Sequence, residues 1–393
     1  MARLDRCYNI ADMREVARRR LPKGVFEYID RGAEDEVALV DNRAAFRDLK
    51  LRTRFMVDLS ERDMGTELLG KRVEFPMAIA PTGVTGLTWY QGEVELARAA
   101  TAMGIPYTLG TTAITSIETV AREVPDGRLW FQLYMWRDTE LSYQLVGRAR
   151  DAGFETLIVT IDQALGHNRE YNARNGFSVP FKPSVRALSD ILRHPEWMTT
   201  VLFRYILTSG MPRHENYPGP YAERITKGAG RSNPMRHVAM TWKDIAGLRE
   251  FWPGKLVVKG ILRAEDAEAA VECGADGIVV SNHGGRHLDA SASSLEILPE
   301  VVSAVGGKTT ILLDSGIRRG GDIVKAVALG ANAVLTGRAT LYGTATAGRA
   351  GAEKALGILK SEFEHTMAYA GCRRVSELSR DVFAPKSLAR LIG

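Results

Sequence analysis

The chain is expected to fold as an α/β protein, a (β/α)8 TIM barrel with an N-terminal helical cap and a long insertion after the fourth strand. Three observations carry that expectation. Eight short apolar runs, rich in β-branched residues and suited to strands buried on both faces, recur through residues 76–345. Between most of them lie stretches with Ala, Glu and Arg at helical spacing, as in Glu93 to Met103 and Ala264 to Cys273. Polar motif residues cluster where the runs end, which is the catalytic face of such a barrel.

Taken in order, residues 1–75 read as helices and a small cap. Ile10-Ala11-Asp12-Met13 begins a helix, and Leu21-Pro22 ends it and starts another that contains Phe26 and Tyr28. The strands follow at Pro76 to Pro81, Ile105 to Gly110, Leu129 to Tyr134, Thr156 to Asp162, Lys255 to Gly260, Gly277 to Asn282, Thr310 to Gly316 and Ala333 to Arg338. Residues 346–393 complete the chain as C-terminal helices and a tail. One domain is expected, because this fold runs to about 250 residues or more as a single unit.

One connection breaks the rhythm. The chain between Asp162 and Lys255 is too long for a plain loop, so residues 165–241 are expected to form an insertion with its own elements. Ser184 to Arg193 and Glu196 to Leu207 look helical. Trp197, Met198, Val201, Leu202, Tyr205 and Ile206 fall mostly on one face, with Arg186, Arg193, His194, Arg204 and Arg213 nearby. That pattern suits an interfacial helix on an anionic membrane surface, and equally a lid that packs its apolar face on the barrel or on a neighbouring subunit.

Composition narrows the class. With 393 residues, 45% hydrophobic and 25% charged, the chain can bury a large core, and a net charge of +5 is compatible with an anionic substrate, cofactor or surface. No nucleic-acid-binding motif is present, so no nucleic-acid partner is expected. Cys7, Cys273 and Cys372 are too few and scattered for a disulfide framework or a CxxC metal site, which fits a reducing, cytoplasmic setting and no bound metal. No stretch reaches the roughly 18 apolar residues of a membrane-spanning helix.

The chemistry concentrates after the sixth strand, in Ser281-Asn282-His283-Gly284-Gly285-Arg286. Two glycines allow the backbone to approach a ligand, a histidine can take a proton near neutral pH, and a guanidinium can hold an anion. Asp314-Ser315-Gly316-Ile317-Arg318-Arg319-Gly320-Gly321 and Gly337-Arg338 follow the last two strands, where barrels of this kind commonly hold a phosphate group. Arginine supplies charge there and glycine exposes backbone N–H groups. Lys259 lies in a β-branched buried strand, a costly place for an ammonium without an anionic partner.

The signature, continuing into His287-Leu288-Asp289, resembles that of the FMN-dependent 2-hydroxy-acid dehydrogenase and oxidase family, whose members include glycolate oxidase, lactate oxidase and mandelate dehydrogenase. The resemblance extends to Leu21-Pro22 with Tyr28, Gly32-Ala33-Glu34-Asp35-Glu36, Pro81-Thr82-Gly83, Phe131-Gln132-Leu133-Tyr134, Val258-Lys259-Gly260, Asp314-Ser315-Gly316 and Gly337-Arg338, in family order over nearly the whole chain. It implies FMN as cofactor and oxidation of an (S)-2-hydroxy acid to the 2-oxo acid. Arg169 and Arg286 are then implied to grip the substrate carboxylate, with Tyr28 and Tyr134 beside it and His283 as the base partnered by Asp162. Contacts to the flavin are implied for Pro81, Thr82, Gly83, Gly110, Thr111, Gln132, Thr160, Lys259 and Ser281. Asp314, Gly316, Arg318, Gly337 and Arg338 are implied for its phosphate. The resemblance also suggests a homotetramer and a membrane quinone as electron acceptor, on the cytoplasmic face. The competing expectation is an oxygen-using oxidase or monooxygenase on lactate or glycolate. A catalytically silent docking module is opposed by intact His283, Arg286, Arg169 and Lys259.

Departures from the family pattern are informative. Gly110 stands where a hydroxyl is usual, with Thr111 as the substitute, and His287 stands where Gln is usual. Thr112 is small where short-chain glycolate oxidases carry tryptophan, and together with Gly166 it suggests room for a bulky substrate side chain. Gly83 replaces the alanine common in oxidases, which favours slow reaction with oxygen.

Overall fold

Eight parallel strands close on themselves: β1 (Met77–Thr82), β2 (Tyr107–Gly110), β3 (Leu129–Leu133), β4 (Thr156–Thr160), β5 (Lys255–Ile261), β6 (Gly277–Val280), β7 (Thr310–Leu313) and β8 (Ala333–Thr336), with β8 paired to β1. These come from a computed structural model that describes residues 4–163, 168–177, 184–217 and 239–392. Every expected strand is present. Several stop short of the expected end, β6 at Val280, β7 at Leu313 and β8 at Thr336, because the polar residues beyond leave the ladder and turn into the site.

The barrel interior is filled rather than open. Ala78, Ala80, Trp130, Ile158, Val257, Val279, Leu312, Ala333 and Leu335 form one buried cluster, completed by Leu68, Leu69 and Val73. Those last three belong to a hairpin, Thr66–Leu68 with Lys71–Val73, that closes the N-terminal end of the barrel, where Arg128, just ahead of β3, donates to the Leu68 carbonyl at 3.1 Å. The reading of residues 1–75 as helices and a small cap did not mark this hairpin. Strands of three residues are too short to show a two-residue period, although the Leu69-Gly70 turn, with φ of 51° and 83°, is the left-handed pair that a tight hairpin favours.

Outside the barrel each strand is followed by a helix whose apolar face lies on the sheet, including Gly92–Ala102 after β1, Thr139–Asp151 after β3 and Ala264–Glu272 after β5. Local sequence starts them cleanly. Ser293 and Glu296 form a capping box on Ser294–Val305, and Thr241 with Asp244 does the same for Trp242–Phe251. Three helices precede the barrel: α1 (Ile10–Arg20), α2 (Lys23–Asp30) and α3 (Val37–Asp48). They bring Tyr28 and the C-terminal carbonyls of α2 over the catalytic face.

The insertion contains Glu170–Asn175, Val185–Leu192 and a continuous helical run from Pro195 to Thr208, whose middle, Met198–Leu202, is π-helical. Its expected apolar face is docked on the barrel. Trp197, Val201 and Tyr205 are buried, Trp197 Nε1 donates to the Leu87 carbonyl at 2.6 Å, and Tyr205 accepts from the Gln91 N–H at 2.8 Å. Asn216 clamps the loop after β2 by accepting from Ile117 N at 3.0 Å and donating to Thr115 O at 3.1 Å. Ile206, expected on that face, instead turns outward with Val185, Leu188, Leu192, Phe203 and Leu207, of which Val185 and Leu207 are more than four-fifths exposed at 87% and 85%. Among the described residues no helix is long and apolar enough to cross a membrane.

Candidate functional site

His283 is presented by a bent loop. It and the next two residues, Gly284 and Gly285, have φ of 57°, 69° and 68°, a left-handed run that only glycine adopts without cost at the latter two positions. Space demands the glycines as well: a Cβ on Gly284 would lie 2.6 Å from Arg338 Nη1, and one on Gly285 would lie 2.6 Å from the Leu39 backbone nitrogen of α3. Ser281 Oγ accepts the His283 N–H at 3.0 Å, and an amide pair between Asn282 and Asn42, 2.9 Å in both directions, ties the loop to α3.

So placed, His283 reaches two partners. Its Nδ1 lies 2.8 Å from Asp162 Oδ1 and its Nε2 lies 3.2 Å from the Tyr134 hydroxyl. With Nδ1–H given to the carboxylate, Nε2 carries the lone pair and lies beside the Tyr134 hydroxyl. Burial, reinforced by the charge of Lys259, holds the imidazole pKa well below its ordinary value, so the ring is neutral at neutral pH and ready to accept a proton. Burial also drives the Tyr134 phenol strongly upward, so it stays protonated. Asp162 fits closely against β5, since a Cβ on Gly260 would sit 2.7 Å from its own Cβ.

Below the histidine, Lys259 of β5 is 3% exposed, donates to Ser281 Oγ at 2.7 Å and pairs with Asp314 Oδ2 at 3.1 Å. Burial opposes its charge, but Asp314 and Asp162 outweigh that and raise its pKa. The anionic partner that a buried lysine requires is therefore Asp314, which arrives from the loop after β7. Ser315, not singled out from the sequence, links the loops by donating to Asp314 Oδ1 at 2.8 Å and accepting from Gly284 N at 2.9 Å.

Four arginines converge on this face without a carboxylate ion-pair partner among the described residues. Arg169 and Arg286 share the ring of Tyr28, their guanidinium carbons 5.8 Å and 5.2 Å from its centroid. Arg286 Nη1 donates to the Tyr28 and Arg31 carbonyls at the C-terminus of α2, at 2.8 Å and 3.1 Å, while Arg169 Nε is buried with no partner. Arg338 is 9% exposed, donates to Gly284 O and Arg31 O, and keeps Nε unpaired. Burial and neighbouring arginines pull the Arg169 pKa down to about 10 and that of Arg338 to about 9. Arg318 is half-buried beside Tyr342, and Gly316 has φ of 101° with α3 backbone packed against it. Unpaired, partly desolvated guanidinium groups are expensive, so two anions are called for, one near Tyr28 and one near Gly316, Arg318, Gly337 and Arg338.

The wall between them carries unspent polar atoms. Gln132 Nε2 and Thr160 Oγ1 are buried with no hydrogen-bond partner, on adjacent strands beside Lys259. Thr111 differs: its hydroxyl donates to Gln132 O at 2.7 Å and accepts from Tyr134 N at 3.0 Å, so it is engaged by the β3 backbone rather than facing inward as a free donor. Pro81, Thr82 and Gly83 at the end of β1 and Gly110 at the end of β2 line the same wall, and a Cβ on Gly110 would lie 3.4 Å from Gln132 Oε1. A planar, polar, phosphate-bearing group such as FMN fits this donor set. Gly83 faces Thr112 and Tyr28, a Cβ there falling 2.5 Å from Thr112 Oγ1 and 3.7 Å from the Tyr28 hydroxyl. Gly166 lies outside the described residues. Asp162, His283 and His287 bring possible metal-ligand atoms within 4.8 Å of one another, but Lys259, Arg169 and Arg286 around them oppose a dication.

Comparison with known proteins identifies the family. The family model for FMN-dependent dehydrogenases matches residues 17–385. The chain is 41% identical over 374 residues to (S)-mandelate dehydrogenase of Pseudomonas putida, covering 95% of this chain and 93% of that one. It is 42% identical over 377 residues to a putative L-lactate dehydrogenase of Mycobacterium tuberculosis, covering 96% and 89%. A crystal structure of the monotopic membrane protein (S)-mandelate dehydrogenase superposes with a TM-score of 0.91 at 40% identity, covering 96% of this chain and 99% of that one.

Proposed function

Since the chain belongs to the FMN-dependent dehydrogenase family, we propose that it oxidises an (S)-2-hydroxy acid with a bulky, mandelate-like side chain to the 2-oxo acid and passes the electrons to a quinone-type acceptor. The observation that carries this reading is the pair Arg169 and Arg286, flanking Tyr28 without a carboxylate and opening beside His283.

The pair takes the substrate carboxylate, with Tyr28 bounding the pocket. His283 Nε2 takes a proton from the substrate, and Asp162 stabilises the resulting imidazolium through Nδ1. Tyr134 steadies the substrate oxygen. Bound FMN supplies the acceptor for the two electrons the substrate loses. Lys259, Gln132, Thr160 and Ser281, with Pro81, Thr82, Gly83 and Gly110, would hold its ring, and Asp314, Gly316, Arg318, Gly337 and Arg338 its phosphate.

Small Thr112 beside Gly83 supports the bulky side chain. The outward apolar set from Val185 to Leu207 supports peripheral attachment to a membrane surface, on the cytoplasmic face, next to a quinone pool. The likeness to a monotopic membrane protein supports the same attachment. Assembly as a homotetramer completes the reading and is checked by sedimentation.

The test is an anaerobic comparison of (S)-mandelate, lactate and glycolate. Yellow holoenzyme is expected to bleach fastest with mandelate and to recover its colour with a quinone faster than with air. Preference for glycolate overturns the substrate assignment, and rapid recovery in air makes the protein an oxidase.

A further inference from the structure

Asp162 is held from two sides by imidazoles. His283 Nδ1 lies 2.8 Å from its Oδ1, while His287 Nδ1 lies 2.9 Å from its main-chain carbonyl and 3.7 Å from the same Oδ1. A carbonyl oxygen only accepts, so His287 must carry its proton on Nδ1. The two rings lie against each other, centroids 3.9 Å apart and tilted by 36°. Arg286, between them in sequence, turns the other way toward α2.

Asp162 depends on such a hold. The β4–β5 ladder ends one residue before it, with Ile161 N–H donating to Lys259 O at 2.9 Å, and its Oδ2 takes no hydrogen bond among the described residues. Only Oδ1 aims the carboxylate at the base. A rotation of the Asp162 backbone would carry it away.

We infer that His287 is a positioning residue: by holding the Asp162 carbonyl and covering the His283 ring, it keeps the carboxylate at Nδ1 of the base. This rests on His283 being the base. The groups facing the two rings are Asp162 after β4, Lys259 in β5, Asp314 after β7, Arg286 in the signature loop, Arg169 in the insertion and Tyr134 after β3. Asp162 is the anion in direct contact with the base, so loosening it removes stabilisation from the imidazolium. The base weakens, and activity persists to lower pH at a lower rate.

The test compares His287→Leu with His287→Gln in the holoenzyme. Leucine fills space but donates nothing, whereas the glutamine amide can donate to the Asp162 carbonyl. His287→Leu is expected to slow anaerobic flavin reduction by about 10-fold or more, the scale set by small misplacement of catalytic groups, with little change in substrate KM and with the acid limb moved to lower pH. His287→Gln is expected to restore most of the rate and the parent limb. Nitrogen-15 NMR of histidine-labelled protein is expected to show His287 as the Nδ1–H tautomer. An Nε2–H tautomer, parent behaviour in His287→Leu, or equal losses in both variants with an unmoved limb overturns the inference. His283→Gln separates the two readings: if it reduces flavin at the parent rate, the base assignment itself fails.

Discussion

Arg286 donates through Nη1 to the main-chain carbonyl of Arg31 at 3.1 Å, and that same oxygen accepts from Arg338 Nη2 at 3.1 Å. The C-terminal end of α2, where unpaired carbonyls gather, thus sets one guanidinium from the signature loop and one from the loop after β8. One nitrogen of Arg286 is spent on orientation while Nε and Nη2 take no hydrogen bond among the described residues. Arg286→Lys therefore loses either the anchor or the substrate fork. Steady-state kinetics should show kcat/KM for the hydroxy acid reduced by about 10- to 100-fold, matching charge-assisted hydrogen bonds of roughly 1.5–3 kcal/mol. Unchanged kinetics would remove Arg286 from the carboxylate site.

His283 faces Asp162 on one nitrogen and the Tyr134 hydroxyl on the other. His283→Gln should retain yellow colour and FMN while anaerobic reduction by substrate slows by at least about 100-fold, the scale of losing a general base. Stopped-flow bleaching at the parent rate would reject the assignment.

The pH profile follows from the sign of the histidine shift. Burial and Lys259 lower the His283 pKa, and the base works only when unprotonated, so protonation disables it below the ordinary imidazole value rather than at it. The acid limb of kcat/KM should therefore fall below about 6.5, the unperturbed value for histidine. A limb at or above that pH would contradict the environment described for the ring.

Thr112 and Gly83 together shape the space beside Tyr28. Thr112→Trp should depress kcat/KM for mandelate more than for glycolate, reversing the order expected of the parent. Equal effects on both substrates would show that the side chain lies elsewhere.

Removing the whole insertion is a poor test of membrane attachment, because Trp197, Tyr205 and Asn216 bolt it to the barrel. Replacing Val185, Leu188, Leu192 and Leu207 by serine leaves those contacts alone. Flotation with anionic liposomes should be lost while anaerobic flavin reduction is kept. Persistent flotation would place attachment on another surface.

By itself, the sequence determined the barrel and the residue types gathered at its C-terminal face. Buried parallel strands are continuous β-branched runs, and they were followed by residues such as His283, Asp314 and Gly337 whose types already implied a base, charge and close backbone approach. The face of the insertion that would be hidden was not legible in that way. Trp197, Val201 and Tyr205 read as an apolar stripe that suited a membrane surface and a barrel-packed lid equally, and only the barrel surface at Leu87 and Gln91, distant in sequence, decided that this stripe is buried and that Val185 and Leu207 are exposed. Side-chain commitments were equally tertiary. The type of Thr111 offered a flavin contact, but the β3 backbone claims its hydroxyl; Asp314 suited a phosphate loop, but it also neutralises Lys259. Periodicity reports which way a residue faces within its own element, whereas hydrogen bonds and charge pairs are settled by what the closed barrel brings beside it, as it brings His287 of the sixth loop against Asp162 of the fourth.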